Sequence, residues 1–239
     1  MKCVFSREMM ILPSQCDFSG RLGVPDAFGL FMDIATEHAE ALGIGTRVLM
    51  ERDLFWLTSR TRARFLKRPR MTETVTVSTW PETPERSRCN RDYVIERGGE
   101  VLVEGKTEWM VTNLKTGRLH PADSVFPEGL ELETRRVLPE PFMRLNEDFT
   151  GAEDVGTYVV RSTDIDLGGH MNNVAYLRAL AGAFSAEAWR AMDVHELEAA
   201  YRRPCFEGDE LLLQRRDAAD GVELRFSREG VTVLTARIR

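Results

Sequence analysis

Within the run Asp164-Ile165-Asp166-Leu167-Gly168-Gly169-His170-Met171-Asn172-Asn173 the chain gathers two carboxylates, two glycines, an imidazole and two amides. A carboxylate can activate water or attack a carbonyl, and an imidazole can move a proton near neutral pH. Such groups act only when a scaffold holds them. Before the run, Gly156 to Ser162 has the β-branched and aromatic content of a strand. After it, Val174, Leu177, Ala181 and Phe184 recur at intervals of three and four, which predicts a helix from about Asn172 to Met192. The cluster therefore falls on a strand-to-helix turn, where Asn172 or Asn173 can cap the helix. Free backbone N–H groups at such a start favour developing negative charge. Together these features point to hydrolysis of an activated acyl group. Taken singly, Asp, Gly and Asn are also ordinary turn residues.

The rest of the chain is compatible with that chemistry. Its 239 residues are enough for two compact units, and 43% apolar residues can build their cores. A net charge of −6 makes nonspecific nucleic-acid binding a poor reading. Cys3, Cys16, Cys89 and Cys205 show no metal-ligand spacing, so reduced thiols are expected, with no disulfide framework, metal or other cofactor. Arg7 and Glu8 interrupt the N-terminal apolar residues, and no stretch has 18 uninterrupted apolar positions. The expectation is a cytoplasmic protein without a membrane partner.

Element order repeats along the chain. The first unit begins with a strand at Arg7 to Gln15, a polar turn at Cys16 to Gly23, and a helix carrying Phe28, Phe31, Ile34, Ala35, His38 and Leu42 on one face. Pro25 suits its first turn, and Gly43 and Gly45 stop it. Strands are predicted at Phe55 to Leu66, Thr74 to Thr83, Arg91 to Glu96 and Val101 to Asn113. The second unit repeats strand, turn and helix, then strands near Glu198 to Arg203, Glu210 to Arg216, Val222 to Arg228 and Thr232 to Ile238. Aligned on helix starts, Val24 pairs with Val174, which sets Cys16 opposite Asp166 and Gly20 opposite His170. That alignment leaves the first turn without acid or imidazole. The Pro-, Glu- and Arg-rich stretch Pro121 to Glu140 reads as a linker. Such a repeat marks an internal duplication, and one long helix with several antiparallel strands is an α+β layout.

The string D-x-D-x-x-x-H-x-N-N-x-x-Y, from Asp164 to Tyr176, is similar to that of the fatty acyl-acyl carrier protein (ACP) thioesterases, which are double-hotdog enzymes. The segments Trp56 to Phe65, Arg91 to Tyr93, Glu108 to Arg118 and Tyr201 to Cys205 resemble further strands of that family, in the same order. The resemblance implies a tandem hotdog: residues 1–125 an N-terminal unit serving the acyl chain, 126–145 a linker, and 146–239 a C-terminal catalytic unit. It implies hydrolysis of acyl-ACP to free fatty acid and carrier. Acyl-coenzyme A hydrolysis, or a degenerate hotdog that binds without turnover, are the alternatives.

Carried over residue by residue, the resemblance makes Asp166 the general base or nucleophile and His170 its partner. Gly168, Gly169, Asn172 and Asn173 supply the turn and its oxyanion donors. Cys205 falls on a family cysteine, although a buried inert thiol reads better without a low-pKa environment. Two positions depart from the family. Gly168 stands where it carries asparagine, and Pro204 where it carries glutamate. Losing one oxyanion donor costs about 100- to 1000-fold in rate; backbone N–H groups at Gly169 and His170 are the expected substitutes, unless the activity is weakened or lost. Phe28, Phe31, Met32, Phe55 and Trp56 are candidates for the acyl-chain wall, with plain core packing the competing role. Arg60, Arg62 and Arg64 alternate along a strand, followed by Lys67, Arg68 and Arg70, and could steer an acidic carrier protein or simply be a solvated face. A homodimer is compatible with this reading.

Overall fold

The computed structural model describes residues 3–239, and the chain separates into two compact units, Met1–Pro141 and Phe142–Arg239. The first unit contains β1 (Phe5–Met10), α1 (Val24–Ala41), α2 (Thr46–Met50), β2 (Leu54–Phe65), β3 (Thr74–Pro81), β4 (Arg88–Arg97), β5 (Glu100–Asn113) and β6 (Leu119–His120). Its strands run in the order β1-β3-β4-β5-β2, antiparallel throughout, with β6 on β5. Helix α1 starts with Pro25 in its first turn and lays Phe28, Phe31, Ile34, Ala35 and His38 into the core. Phe31 stacks on Tyr93 of β4 at 4.6 Å between ring centroids. Burying one such aromatic is worth roughly 1.5–3 kcal/mol, so the apolar stripe is what seats the helix.

The second unit contains β7 (Glu153–Val159), α3 (Asn173–Gly182), α4 (Ala186–Ala191), β8 (Glu196–Tyr201), β9 (Glu210–Ala218), β10 (Gly221–Arg228) and β11 (Val231–Ile238). Its order is β8-β11-β10-β9-β7, again antiparallel. Tyr201 of β8 donates to the carbonyl of Asn173 at 3.1 Å, and its ring meets Tyr176 edge-on. Each unit thus has the hotdog layout, an α+β fold present twice.

Several expectations need correction. Strand β1 begins at Phe5 and ends at Met10, because Pro13–Gln15 turn into a 3-10 helix. Strand β7 likewise ends at Val159, before a 3-10 turn at Ser162–Asp164. The single helix expected to Met192 is two: α3 stops at Gly182, and Ser185 restarts the chain as α4 by accepting from Ala188 N at 3.1 Å. Such a cap is worth about 1 kcal/mol, enough to favour the break beside a glycine. The short α2 and β6 were not anticipated.

The stretch from Pro121 to Pro141 is packed chain. Ala122, Val125 and Leu138 are buried. Trp80 Nε1 donates to the carbonyl of Arg135 at 3.0 Å, and Lys106 Nζ to that of Leu138 at 3.1 Å. Its Pro, Glu and Arg content resembles a free linker, but these residues anchor it to the first unit's sheet.

Candidate active site

The polar cluster of the second unit is built by backbone bonds before any side chain acts. Asp166 N donates to the carbonyl of His170 at 3.0 Å, and Gly169 N to that of Asp166 at 3.0 Å. Gly169 sits at φ +75°, a conformation that glycine adopts without strain. Ile165 and Met171 close the loop as a β-bridge. Met171 N donates to the carbonyl of Cys205 at 2.8 Å, which ties the loop to the chain after β8.

Asp164 braces the loop at three points. Its carboxylate accepts from Tyr158 Oη at 2.8 Å and from Arg161 N at 2.7 Å. Its carbonyl accepts from Asn172 N at 2.8 Å and from Asn172 Nδ2 at 3.0 Å. Asn172 in turn caps α3, accepting from Ala175 N at 2.8 Å. Asn173 is the first residue of α3. Sequence reading places Asp164 in the motif but gives it no task; it ends the 3-10 turn, and its place two residues before Asp166 was the available signal.

The side chains of Asp166 and His170 converge across Gly168. Asp166 Oδ1 accepts from Gly168 N at 2.7 Å, which sets the carboxylate's direction, and lies 3.9 Å from His170 Nδ1. A Cβ on residue 168 would stand 3.0 Å from both Asp166 Oδ1 and His170 Nε2. Both side chains are about a third exposed, so water can reach them. Of the two expected backbone donors, Gly169 N is spent inside the turn. Among the described residues the N–H of His170 has no backbone acceptor.

Cys205 is fully buried. Burial pushes its thiol up, against the lowering effect of a hydrogen bond from Tyr176. A thiol held in its neutral form is a poor nucleophile, so Cys205 serves packing, and its carbonyl serves the loop.

The first unit repeats the same turn one residue out of register with the helix-start alignment. Asp17 N donates to the carbonyl of Arg21 at 2.9 Å, and Gly20 N to that of Asp17 at 3.0 Å. Ser19 N reaches Asp17 Oδ1 at 2.8 Å, Cys16 bridges Leu22, and Leu22 N donates to Pro69 O at 2.8 Å. Asp17 therefore corresponds to Asp166, Ser19 to Gly168, Arg21 to His170 and Pro69 to Cys205. The first turn does have the acid. Its carboxylate, however, is ion-paired with Arg68 and accepts from Ser19 Oγ at 2.5 Å. Burial alone would raise the Asp17 carboxyl, but the Ser19 and Arg68 hydrogen bonds outweigh it and hold it below its usual value.

The remaining candidates separate by burial. Phe28 and Phe31 are core residues, packed edge-to-face at 6.0 Å. Met32, Phe55 and Trp56 are half-buried, and Trp56 Nε1 donates to the carbonyl of Ile44 at 3.0 Å. Arg62 is 4% exposed, contrary to a solvated basic row, and lies 4.0 Å from Glu140. Arg64 pairs with Glu104 at 3.5 Å and with Glu140 at 3.7 Å. Arg60 is half-buried, Lys67 is exposed and pairs with Glu100, and Arg68 is committed to Asp17. The packed stretch that carries Glu140 is why Arg62 cannot present itself to a partner.

Residues 2–128 match the family model of the acyl-ACP thioesterase N-terminal domain, and residues 149–233 that of the C-terminal domain. The oleoyl-acyl carrier protein thioesterase 1 of Arabidopsis thaliana is 28% identical over 200 residues, covering 75% of this chain and 54% of that protein. A palmitoyl-acyl carrier protein thioesterase of Cuphea hookeriana is 25% identical, covering 79% and 48%. The chain spans about half the length of the curated relatives it matches. Among solved structures, an acyl-ACP thioesterase from Bacteroides thetaiotaomicron superposes with a TM-score of 0.87 at 22% identity, over 98% of this chain and 96% of that one. The 12:0-ACP thioesterase from Umbellularia californica superposes with a TM-score of 0.83 at 19% identity, over 100% and 97%. At these identities the superpositions establish the shared fold.

Proposed function

Because the chain belongs to the acyl-ACP thioesterase family, we propose that it hydrolyses the thioester of fatty acyl-acyl carrier protein, with the second unit's turn as its catalytic centre. The observation that carries this reading is the convergence of Asp166 and His170 across a residue with no side chain. In the proposed reaction Asp166 draws a proton from water as the water oxygen bonds to the thioester carbonyl carbon. The carbonyl oxygen takes up negative charge and meets the N–H of His170, at the loop that leads into α3. The C–S bond then breaks, the sulfur leaves as the carrier thiol, and the imidazole of His170 relays the proton it needs. Free fatty acid and carrier thiol are the products.

Gly168 and Pro204 bear on this reading in different ways. The family asparagine is replaced by a backbone that lets carboxylate and imidazole approach one another, so one side-chain donor is exchanged for closer geometry. Pro204 lies next to Cys205, whose carbonyl holds Met171, and offers no charge. In the first unit Met32, Phe55 and Trp56 are the half-buried apolar residues available to line an acyl site.

The test is free-thiol release by the purified protein from matched acyl-ACP and acyl-coenzyme A thioesters. Acyl-ACP should be hydrolysed with the higher kcat/KM. A higher value for acyl-coenzyme A would move the assignment to that substrate, and release from neither would leave only a binding protein. Among the described residues no helix is long and apolar enough to cross a membrane.

A further inference from the structure

The duplication extends beyond the turn. Lys67 N donates to Leu102 O at 2.9 Å as Arg203 N does to Val233 O at 3.4 Å. Arg70 N donates to Glu73 Oε2 at 2.9 Å as Phe206 N does to Asp209 Oδ2 at 2.8 Å. Arg97 pairs with Glu73 as Arg228 pairs with Asp209. These pairings set Arg21, Lys67, Arg68, Arg70 and Arg97 opposite His170, Arg203, Pro204, Phe206 and Arg228. The first unit therefore carries five fixed cations where the second carries two, and the three additions flank the counterpart of the catalytic turn.

All five line one cleft of about 190 Å³, with Glu73 as its acidic residue. Asp17 neutralises Arg68, and Glu73 and Glu100 pair with Arg97 and Lys67 at 2.8 and 3.3 Å. Five cations against three carboxylates leave two positive charges in excess. Arg21 and Arg70 supply them from adjacent backbone, since the two residues form a β-bridge. Arg21 Nη1 donates to the carbonyl of Arg68 at 3.2 Å, which fixes its guanidinium beside the cleft. Guanidinium groups bind phosphate oxygens in pairs.

We propose that the first unit's counterpart of the catalytic turn is a binding site for a phosphate dianion, either inorganic phosphate or the phosphomonoester of a small molecule. An acid–imidazole turn has here been rebuilt as an anion site: Arg68 ties down the acid, and Arg21 replaces the imidazole with a permanent charge. A phosphodiester, such as the one linking pantetheine to a carrier protein, bears only one negative charge and fits the excess less well.

The test is equilibrium dialysis of the intact protein against inorganic phosphate at mildly alkaline pH, with dimethyl phosphate as the diester probe. Saturable binding of one phosphate per chain is expected. Arg70→Ala and Arg21→Gln should each weaken it by at least about tenfold, the scale of one charged hydrogen bond. Arg118→Ala, outside the cleft, should leave it unchanged. Arg70 is exposed, so its removal should not disturb folding, which a thermal melt would verify. Absence of saturable phosphate binding would overturn the proposal. So would variants that bind as wild type does, or preferential binding of dimethyl phosphate. Dialysis needs no turnover, so the result is independent of the proposed hydrolysis.

Discussion

The two turns of this chain share a backbone and differ in what that backbone holds. Each has an aspartate whose N–H and carbonyl close the loop, a positive-φ glycine three residues on, and a β-bridge across its neck. In the second unit the aspartate faces an imidazole across Gly168. In the first, Asp17 is clamped by Arg68 and Ser19, and arginine replaces the imidazole. A carboxylate already paired with a guanidinium has its charge satisfied and its proton affinity lowered, which suits structure and not base catalysis. One backbone thus holds two different sets of side chains, and the proposed chemistries differ with them.

The largest effect should come from making the second turn resemble the first. His170→Arg replaces a group that exchanges protons with one that does not, and should lower acyl-thioester turnover by about 100-fold or more, the usual worth of a positioned acid or base. A thermal melt should show the fold intact, because His170 holds the loop through its backbone carbonyl. Turnover within a few fold of wild type would mean that the imidazole is not part of the chemistry.

Gly168 gives the next sharpest contrast, since Ser19 occupies the same place in the first turn with its side chain tolerated. Gly168→Asn would restore the amide found in the family. It would also set a Cβ 3.0 Å from both Asp166 Oδ1 and His170 Nε2, tighter than such contacts normally allow. Turnover should fall by about tenfold, the rate loss for roughly 1.4 kcal/mol of misplacement. A gain would mean that the glycine marks an impaired site.

The smallest effect is expected at Cys205. Its carbonyl, not its thiol, meets the Asp166–His170 loop, so Cys205→Ser should change kcat by less than about threefold while lowering stability by about 1 kcal/mol, the modest cost of a buried polar replacement. A loss comparable to that of His170→Arg would reopen the thiol as a nucleophile.

Much of this architecture was legible from side-chain patterns, and the misreadings share a cause. The D-x-D-x-x-x-H-x-N-N-x-x-Y string located the turn, and Phe28, Phe31 and Ile34 predicted a helix seated on a sheet. Register between the repeats is misread when Val24 is paired with Val174, because the two valines look alike while α3 starts one residue earlier, at Asn173. The equivalence lives in backbone hydrogen bonds, and aligning Gly20 with Gly169 would have found Asp17. The break between α3 and α4 was hidden because Phe184 and Trp189 continue an apolar pattern through a capped turn. Arg62 read as surface because alternation along a strand says which face a residue takes, not what lies over it.

The central claim is that only one of two equivalent aspartates does chemistry. Asp166→Asn and Asp17→Asn should therefore be compared side by side for free-thiol release from acyl-ACP and for melting temperature. The account predicts at least about a 100-fold loss of turnover for Asp166→Asn with little change in melting. For Asp17→Asn it predicts near-normal turnover with lowered stability, since Arg68 loses its partner in a half-buried site. Near-normal turnover in Asp166→Asn, or an equal loss in both variants, would contradict it.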